Sequence, residues 1–180
     1  MKKIIFSLFF GIIFSAHTVQ AQDTDTKHVK GFIGGEITGA LVKISYPYDL
    51  IFKDTYATFA LSTGVKIDRI SLSVFIQNSS EEEGFVKTSF KAYGADIGWY
   101  TSIAKNFDLI VGLGVGRYDF EAEHIGNENH IGLRSNLGAE FKISENFSLT
   151  TNYRYIPLIG KETDIVKRIN EFALGMKFYF

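Results

Sequence analysis

The chain has 180 residues, 19 basic against 20 acidic side chains, 17 phenylalanines, nine tyrosines, two prolines and no cysteine. That charge balance excludes an electrostatic binder of nucleic acid, and the missing thiols exclude disulfide staples, thiolate metal sites and a lipidated cysteine. No apolar run is long enough for a transmembrane helix, so stability must come from sheet, which the aromatic, β-branched and glycine-rich composition favours.

Lys2 and Lys3 precede the apolar run Ile4 to Phe14, and Val19-Gln20-Ala21 supplies small residues where a signal peptidase cuts. The run is too short to span a bilayer and has the flanks of a secretory signal. Residues 1–21 are expected to be a signal peptide removed after Ala21, 22–29 a short periplasmic lead-in, and 30–180 one domain.

Eight segments of period-two alternation follow. The first, Lys30 to Lys43, sets Ile33, Ile37 and Leu41 against Glu36 and Thr38. The second, Tyr56 to Ile67, sets Phe59, Leu61, Val65 and Ile67 against Thr58, Ser62 and Lys66, and a tight turn at Asp68-Arg69 leads to the third. There Ile70, Leu72, Val74 and Ile76 oppose Ser71, Ser73 and Gln77. The fourth, Val86 to Tyr100, places Tyr93, Ala95, Ile97 and Trp99 opposite Gly94, Asp96 and Gly98. After a turn at Ala104-Lys105-Asn106, the fifth, Phe107 to Tyr118, opposes Leu109, Val111, Leu113 and Val115 to Asp108 and three glycines. The sixth, Ile131 to Lys142, sets Leu133, Leu137 and Phe141 against Arg134, Asn136 and Glu140. The seventh follows Ser144-Glu145-Asn146 and sets Phe147, Leu149, Tyr153 and Tyr155 against Thr150, Asn152 and Arg154. The eighth ends the chain, with Phe172, Leu174, Met176, Phe178 and Phe180 against Glu171, Gly175 and Lys177.

Each apolar face thus has a face of charge, hydroxyl or glycine behind it. An aliphatic and aromatic exterior free of ionisable groups is what lipid requires, whereas a soluble barrel turns its apolar side chains inward. The expected fold is all-β: an eight-stranded, antiparallel, up-and-down transmembrane barrel. Its interior is expected to be plugged by Glu36, Lys66, Asp96, Arg134, Glu140, Arg154, Glu171 and Lys177 pairing across a narrow lumen. Connections after even-numbered strands are short, whereas Ser45 to Thr55, Asn78 to Phe85, Asp119 to His130 and Pro157 to Val166 are longer and polar. That asymmetry distinguishes periplasmic turns from outer loops.

The Lys30-Gly31-Phe32-Ile33-Gly34-Gly35 opening, the Gly94-Ala95-Asp96-Ile97-Gly98-Trp99 strand end, the Asn106-Phe107 and Asn146-Phe147 steps and the terminal Phe180 resemble the small outer-membrane β-barrel proteins of Gram-negative bacteria, the OmpA/OmpX-like superfamily. The resemblance covers Lys30 to Phe180. It implies that Phe172, Leu174, Met176, Phe178 and Phe180 form the signal read by the barrel-assembly machinery. It also implies a monomer in outer-membrane lipid and lipopolysaccharide, and no peptidoglycan-binding domain is expected after Phe180.

Other candidates are weaker. Glu121, Glu123, His124, Glu128 and His130 could ligate a divalent ion, but their spacing fits no strong motif and no metal or cofactor is expected. Glu81-Glu82-Glu83 reads first as a solvated loop tip rather than a calcium or basic-surface site. Gly112-x-Gly114-x-Gly116 lies in a strand with no helix after it, so its glycines are read as room for bulky interior neighbours such as Tyr100 or Tyr118. Asn78-Ser79-Ser80 and Asn146-Phe147-Ser148 match the glycosylation pattern by chance in a bacterial protein. Some barrels of this size deacylate lipid A with a His-x-Ser pair, but no histidine here is followed two residues later by serine; His130, Ser135 and Glu140 are the nearest set, and Ser135 is expected to face lipid. The expected function is therefore non-enzymatic: a surface-loop interaction with an extracellular ligand or host surface, or an envelope-structural role. A narrow pore for ions or small solutes is second, and a lipid A-modifying enzyme third.

Overall fold

The period-two pattern is realised as eight antiparallel strands that close on themselves in sequence order. The computed structural model describes residues 29–45, 51–83, 86–122, 126–159 and 166–180. The proposed signal peptide and most of the lead-in lie outside those residues. The strands are β1 Val29–Ser45, β2 Ile51–Ile67, β3 Ile70–Glu83, β4 Val86–Ala104, β5 Phe107–Ala122, β6 Gly126–Lys142, β7 Phe147–Ile159 and β8 Val166–Tyr179. β1 begins at Val29, the last residue assigned to the lead-in. Closure gives every strand a paired neighbour on both sides, which hydrocarbon demands, while extensions at the hairpin end, such as β2 before Phe59 and β3 after Asn78, pair on one side.

One end of the barrel carries the tight connections at 68–69, 105–106 and 143–146, together with the start of β1 and the end of β8. Asp68 takes a positive φ of 51°, the left-handed geometry that lets a two-residue turn match the strand twist. At the other end the strands continue further than the sequence suggested. The expected loop Asn78 to Phe85 is strand through Glu83, and the pairing Glu83↔Val86 leaves only residues 84–85 between β3 and β4. The expected loop Asp119 to His130 is likewise taken up by the Phe120↔Glu128 and Ala122↔Gly126 pairs. Polar composition marked these stretches as loops, yet main-chain pairing continues because a strand needs no apolar face once it has left the membrane. Three of the outer connections are therefore tall hairpins, whereas β7–β8 pairing stops at Pro157↔Arg168.

The exterior is as expected. Ile33, Ile37, Leu61, Leu72, Ile76, Leu113, Leu133, Leu137 and Leu174 all point outward and are exposed. Trp99, Phe141, Phe178 and Phe180 form an aromatic belt towards the turn end, and Tyr93, Tyr153, Tyr155 and Phe172 stand nearer the hairpin end. Two aromatic girdles around an aliphatic band fit the two interfaces of a bilayer.

The seam between first and last strands is closed by reciprocal bonds. Gly31 N donates to Phe180 O and Phe180 N to Gly31 O, both at 2.9 Å. The Phe180 ring lies over Gly31 so closely that a Cβ there would fall 2.9 Å from Cζ, so only glycine fits beneath it.

Candidate functional site

The lumen is the place where chemistry-bearing side chains converge, and it is built in three storeys. In the middle storey Arg154 on β7 binds Glu36 on β1 through Nη2, and its Nη1 lies 3.6 Å from Glu171 Oε2 on β8. Asn152 Nδ2 donates to the other Glu36 oxygen at 2.9 Å. Gln77 Nε2 donates to Glu171 Oε1 at 3.0 Å and to Thr58 Oγ1 at 2.7 Å. Beside this network Arg134 pairs with Asp96 at 3.2 Å, and its Cζ lies over the Phe75 ring, 3.6 Å from the centroid. Glu171 is fully buried and Glu36 and Arg154 nearly so, so these charges are held by one another rather than by water.

In the storey nearest the turns, Lys66 Nζ stands 3.4 Å from Asp108 Oδ2, 3.9 Å from Glu140 Oε1 and 3.7 Å over the Tyr100 ring. Lys142 Nζ reaches the same Asp108 oxygen at 2.8 Å, and Ser102 Oγ donates to Oδ1 at 2.7 Å. Tyr179 hydroxyl donates to both Glu140 oxygens, at 3.0 and 2.8 Å, while Lys177 lies 3.8 Å from Glu140 and donates to Tyr100 hydroxyl at 2.8 Å. This storey is open at the turn end through a vestibule of about 350 Å³.

The hairpin-end storey corrects the expectation that every inward face is charge, hydroxyl or glycine. It holds Ala40, Val42, Phe75, Phe90, Ala92, Tyr118, Phe120, Ile156, Val166 and Ile169 packed as a core. Phe90 lies 5.1 Å from Phe120 and 6.1 Å from Tyr118 between ring centroids. Tyr118, Phe90, Ile156 and Ile169 are wholly excluded from solvent. Towards the hairpin end the lumen is stoppered by hydrocarbon, and towards the turn end by paired charge.

The eight residues read from the sequence as an interior network all project into the lumen, but they fall into two groups. Glu36, Asp96, Arg134, Arg154 and Glu171 form the middle storey, and Lys66, Glu140 and Lys177 the lower one. The reading omitted Asp108, Lys142, Tyr100, Tyr179, Gln77 and Asn152, each of which anchors a charge. Period-two parity was the available signal: Lys142, Tyr100, Tyr179 and Asn152 share a strand face with a residue already chosen, and Asp108 and Gln77 lie on the polar faces of β5 and β3. Interior glycines match the bulk beside them: a Cβ on Gly132 or Gly116 would strike Tyr118 at 2.6 or 3.2 Å, and one on Gly114 would land on the Asp96 carboxylate.

Glu128 and His130 face inward at the hairpin end, His130 Nε2 lying 3.0 Å from Glu128 Oε2, which also accepts from Val166 N at 3.3 Å. Of the rest of the candidate ion site, Glu121 is exposed and accepts from Ser89 Oγ at 3.4 Å, and Glu123 and His124 lie outside the described residues. So do the side chains of Glu81, Glu82 and Glu83, whose backbone ends β3. His130 and Glu140 point into the lumen whereas Ser135 points out, so this set cannot assemble a nucleophile beside its base.

The family model for an outer membrane protein beta-barrel domain matches residues 7–180. Among solved structures, Neisserial surface protein A superimposes with a TM-score of 0.70 at 16% identity, covering 83% of this chain and 97% of that one. Ail, the attachment invasion locus protein of Yersinia pestis, crystallised with the heparin analogue sucrose octasulfate, superimposes at 0.61 with 19% identity over 85% and 99%. Outer membrane protein H of P. aeruginosa gives 0.61 with 16% identity over 84% and 99%. At these identities the likeness is one of fold. No curated protein sequence matches the chain.

Proposed function

Because the chain belongs to the outer membrane protein beta-barrel family, and its barrel accordingly sits in the outer membrane, we propose that it is a non-conducting, non-enzymatic barrel that acts through its outer hairpins on an extracellular ligand or host surface. The observation that carries this reading is the hydrocarbon stopper at the hairpin end of the lumen. A solute entering from outside would have to displace Phe90, Tyr118 and Phe120 and then part the Arg154–Glu36 and Arg134–Asp96 pairs. With transport disfavoured and no nucleophile–base pair assembled from His130, Ser135 and Glu140, the tall hairpins are left as the working surface. Ail, which shares the fold, carries attachment in its name and was crystallised with a polysulfated sugar.

Within this reading the barrel is a monomer in outer-membrane lipid and lipopolysaccharide, inserted by the assembly machinery. Phe172, Leu174, Met176, Phe178 and Phe180, which line one outward face of β8, present the strand to that machinery before closure. Planar-bilayer recordings on the purified barrel separate surface binder from pore. A silent barrel supports the proposal. Steady single-channel steps that vanish when Glu140 or Arg134 is neutralised overturn it. Binding to cells or to immobilised sulfated glycans with the hairpins intact, lost when a hairpin is replaced by a short turn, identifies the surface. Unchanged lipid A masses in a deletion strain exclude the lipid-modifying enzyme.

A further inference from the structure

We propose that the vestibule at the turn end is a binding site for a small periplasmic anion, a carboxylate or phosphate-bearing solute, independent of whatever the outer hairpins bind. Three adjacent strands present one row of inward side chains there: Lys142 on β6 pairs in register with Ser148 on β7, which pairs with Lys177 on β8. Neighbours in such a row stand about 5 Å apart at Cβ, close enough to share one ligand. Lys66 reaches in from β2 opposite them, and its ammonium and that of Lys142 converge on a single oxygen, Asp108 Oδ2, at 3.4 and 2.8 Å. Lys66, Lys142 and Ser148 line the vestibule, while Lys177 lies behind them on a smaller inner void.

The polar inventory of this row is rich in donors. The Asp108 oxygens already accept from Ser102, Lys142 and Lys66, and the Glu140 carboxylate shares the one Tyr179 hydroxyl proton between its oxygens, with Lys66 and Lys177 at 3.9 and 3.8 Å. Lys66 and Lys142 carry three donors each, and the nearest acceptor of both is that one carboxylate oxygen, Lys66 also facing Glu140 at 3.9 Å and the Tyr100 ring. The vestibule's ionisable lining is balanced, Lys30, Lys66, Arg69 and Lys142 against Asp68, Asp108, Glu140 and Glu145, and the Lys177 ammonium behind it adds a further positive charge. Ser148 supplies the independent sign. Its side chain is buried to 1% exposure, its hydroxyl meets no hydrogen-bond partner, and it lines the cavity. A buried hydroxyl costs free energy unless a partner visits it. An anion seated between Lys66, Lys142 and Ser148 satisfies that hydroxyl and the spare ammonium donors together. The volume of about 350 Å³ is at the small end of ligand cavities, and the paired charges and hydrocarbon above make the site blind, so its ligand enters and leaves on the periplasmic side.

The test is a titration of the full barrel in detergent micelles with sodium benzoate and, separately, sodium phosphate, followed by backbone amide NMR at constant ionic strength. Saturable shifts centred on Lys142, Ser148 and Lys177 are expected with at least one of the two, and which one names the anion class. Ser148→Ala should weaken binding by roughly threefold or more, and Lys66→Gln by about tenfold, as neutral and charge-assisted bonds differ. If Lys66→Gln fails to fold, Lys142→Gln, at the more exposed rim of the vestibule, gives the same reading. Shifts that grow linearly without saturating, that are reproduced by sodium chloride, or that keep their midpoint in the variants overturn the proposal. A silent result here leaves the hairpin reading untouched, and a silent hairpin screen leaves this site untouched.

Discussion

Replacing Arg154 by Met should be the most damaging single change in the lumen. One guanidinium serves two carboxylates, Glu36 and Glu171, whose residues are exposed to only 8% and 0%. Methionine fills a similar volume and abolishes the charge, leaving both acids in a space that water does not share. Removing one member of a buried pair costs about 3–5 kcal/mol. The cost should stay within that range rather than double, because Asn152 still donates to Glu36 and Gln77 to Glu171. Urea unfolding in lipid vesicles is the assay. Trp99 is the single tryptophan and lies on the lipid-facing surface, so its fluorescence reports departure from the bilayer. Adding Glu36→Gln to Arg154→Met should recover at least about 1 kcal/mol, because one of the two orphaned charges is then gone and only Glu171 remains. A loss below about 1 kcal/mol for Arg154→Met, with an unchanged denaturant slope, would match a solvent-screened surface pair. That result would refute the claim that the middle storey is sealed.

Three further outcomes follow from the geometry. Gly31→Val should push the Phe180 ring off the seam and break the reciprocal bonds there, so the unboiled protein should lose its fast-migrating form on a detergent gel at a lower temperature than wild type. Phe180→Ala should leave the folded barrel close to wild type in urea unfolding but slow its appearance in the outer membrane in pulse-labelled cells, since its ring is half exposed to lipid. Truncating Phe90, Tyr118 and Phe120 together to Ala should open the hairpin end of the lumen. Brief, small conductance events in planar bilayers should then appear where the wild type is silent.

The architecture was legible residue by residue because a strand exposes its pattern directly. Alternation placed Ile33, Phe59, Leu113, Leu137 and Leu174 outside and Glu36, Asp96, Arg134 and Arg154 inside, and all stand so. Eight alternating segments gave the strand count, and the short connections after even strands told the two ends of the barrel apart. The lumen was less legible for a physical reason. Parity says that a side chain points inward but not at what height, and the strand tilt and register that set height are properties of the closed sheet. Thus Phe75, Phe90, Tyr118 and Phe120, scattered over three strands, showed no sign of being one layer.

The sequence by itself determined which side of each strand faces lipid, because a two-fold alternation needs no partner to be read. Only the tertiary structure decided who meets whom across the lumen. Lys142, Ser148 and Lys177 become one row through strand register, and Glu36 and Arg154, more than a hundred positions apart, become one ion pair through closure. That is also why the stopper, the charge plug and the blind vestibule emerge at separate levels of a barrel whose inward faces look interchangeable when read strand by strand.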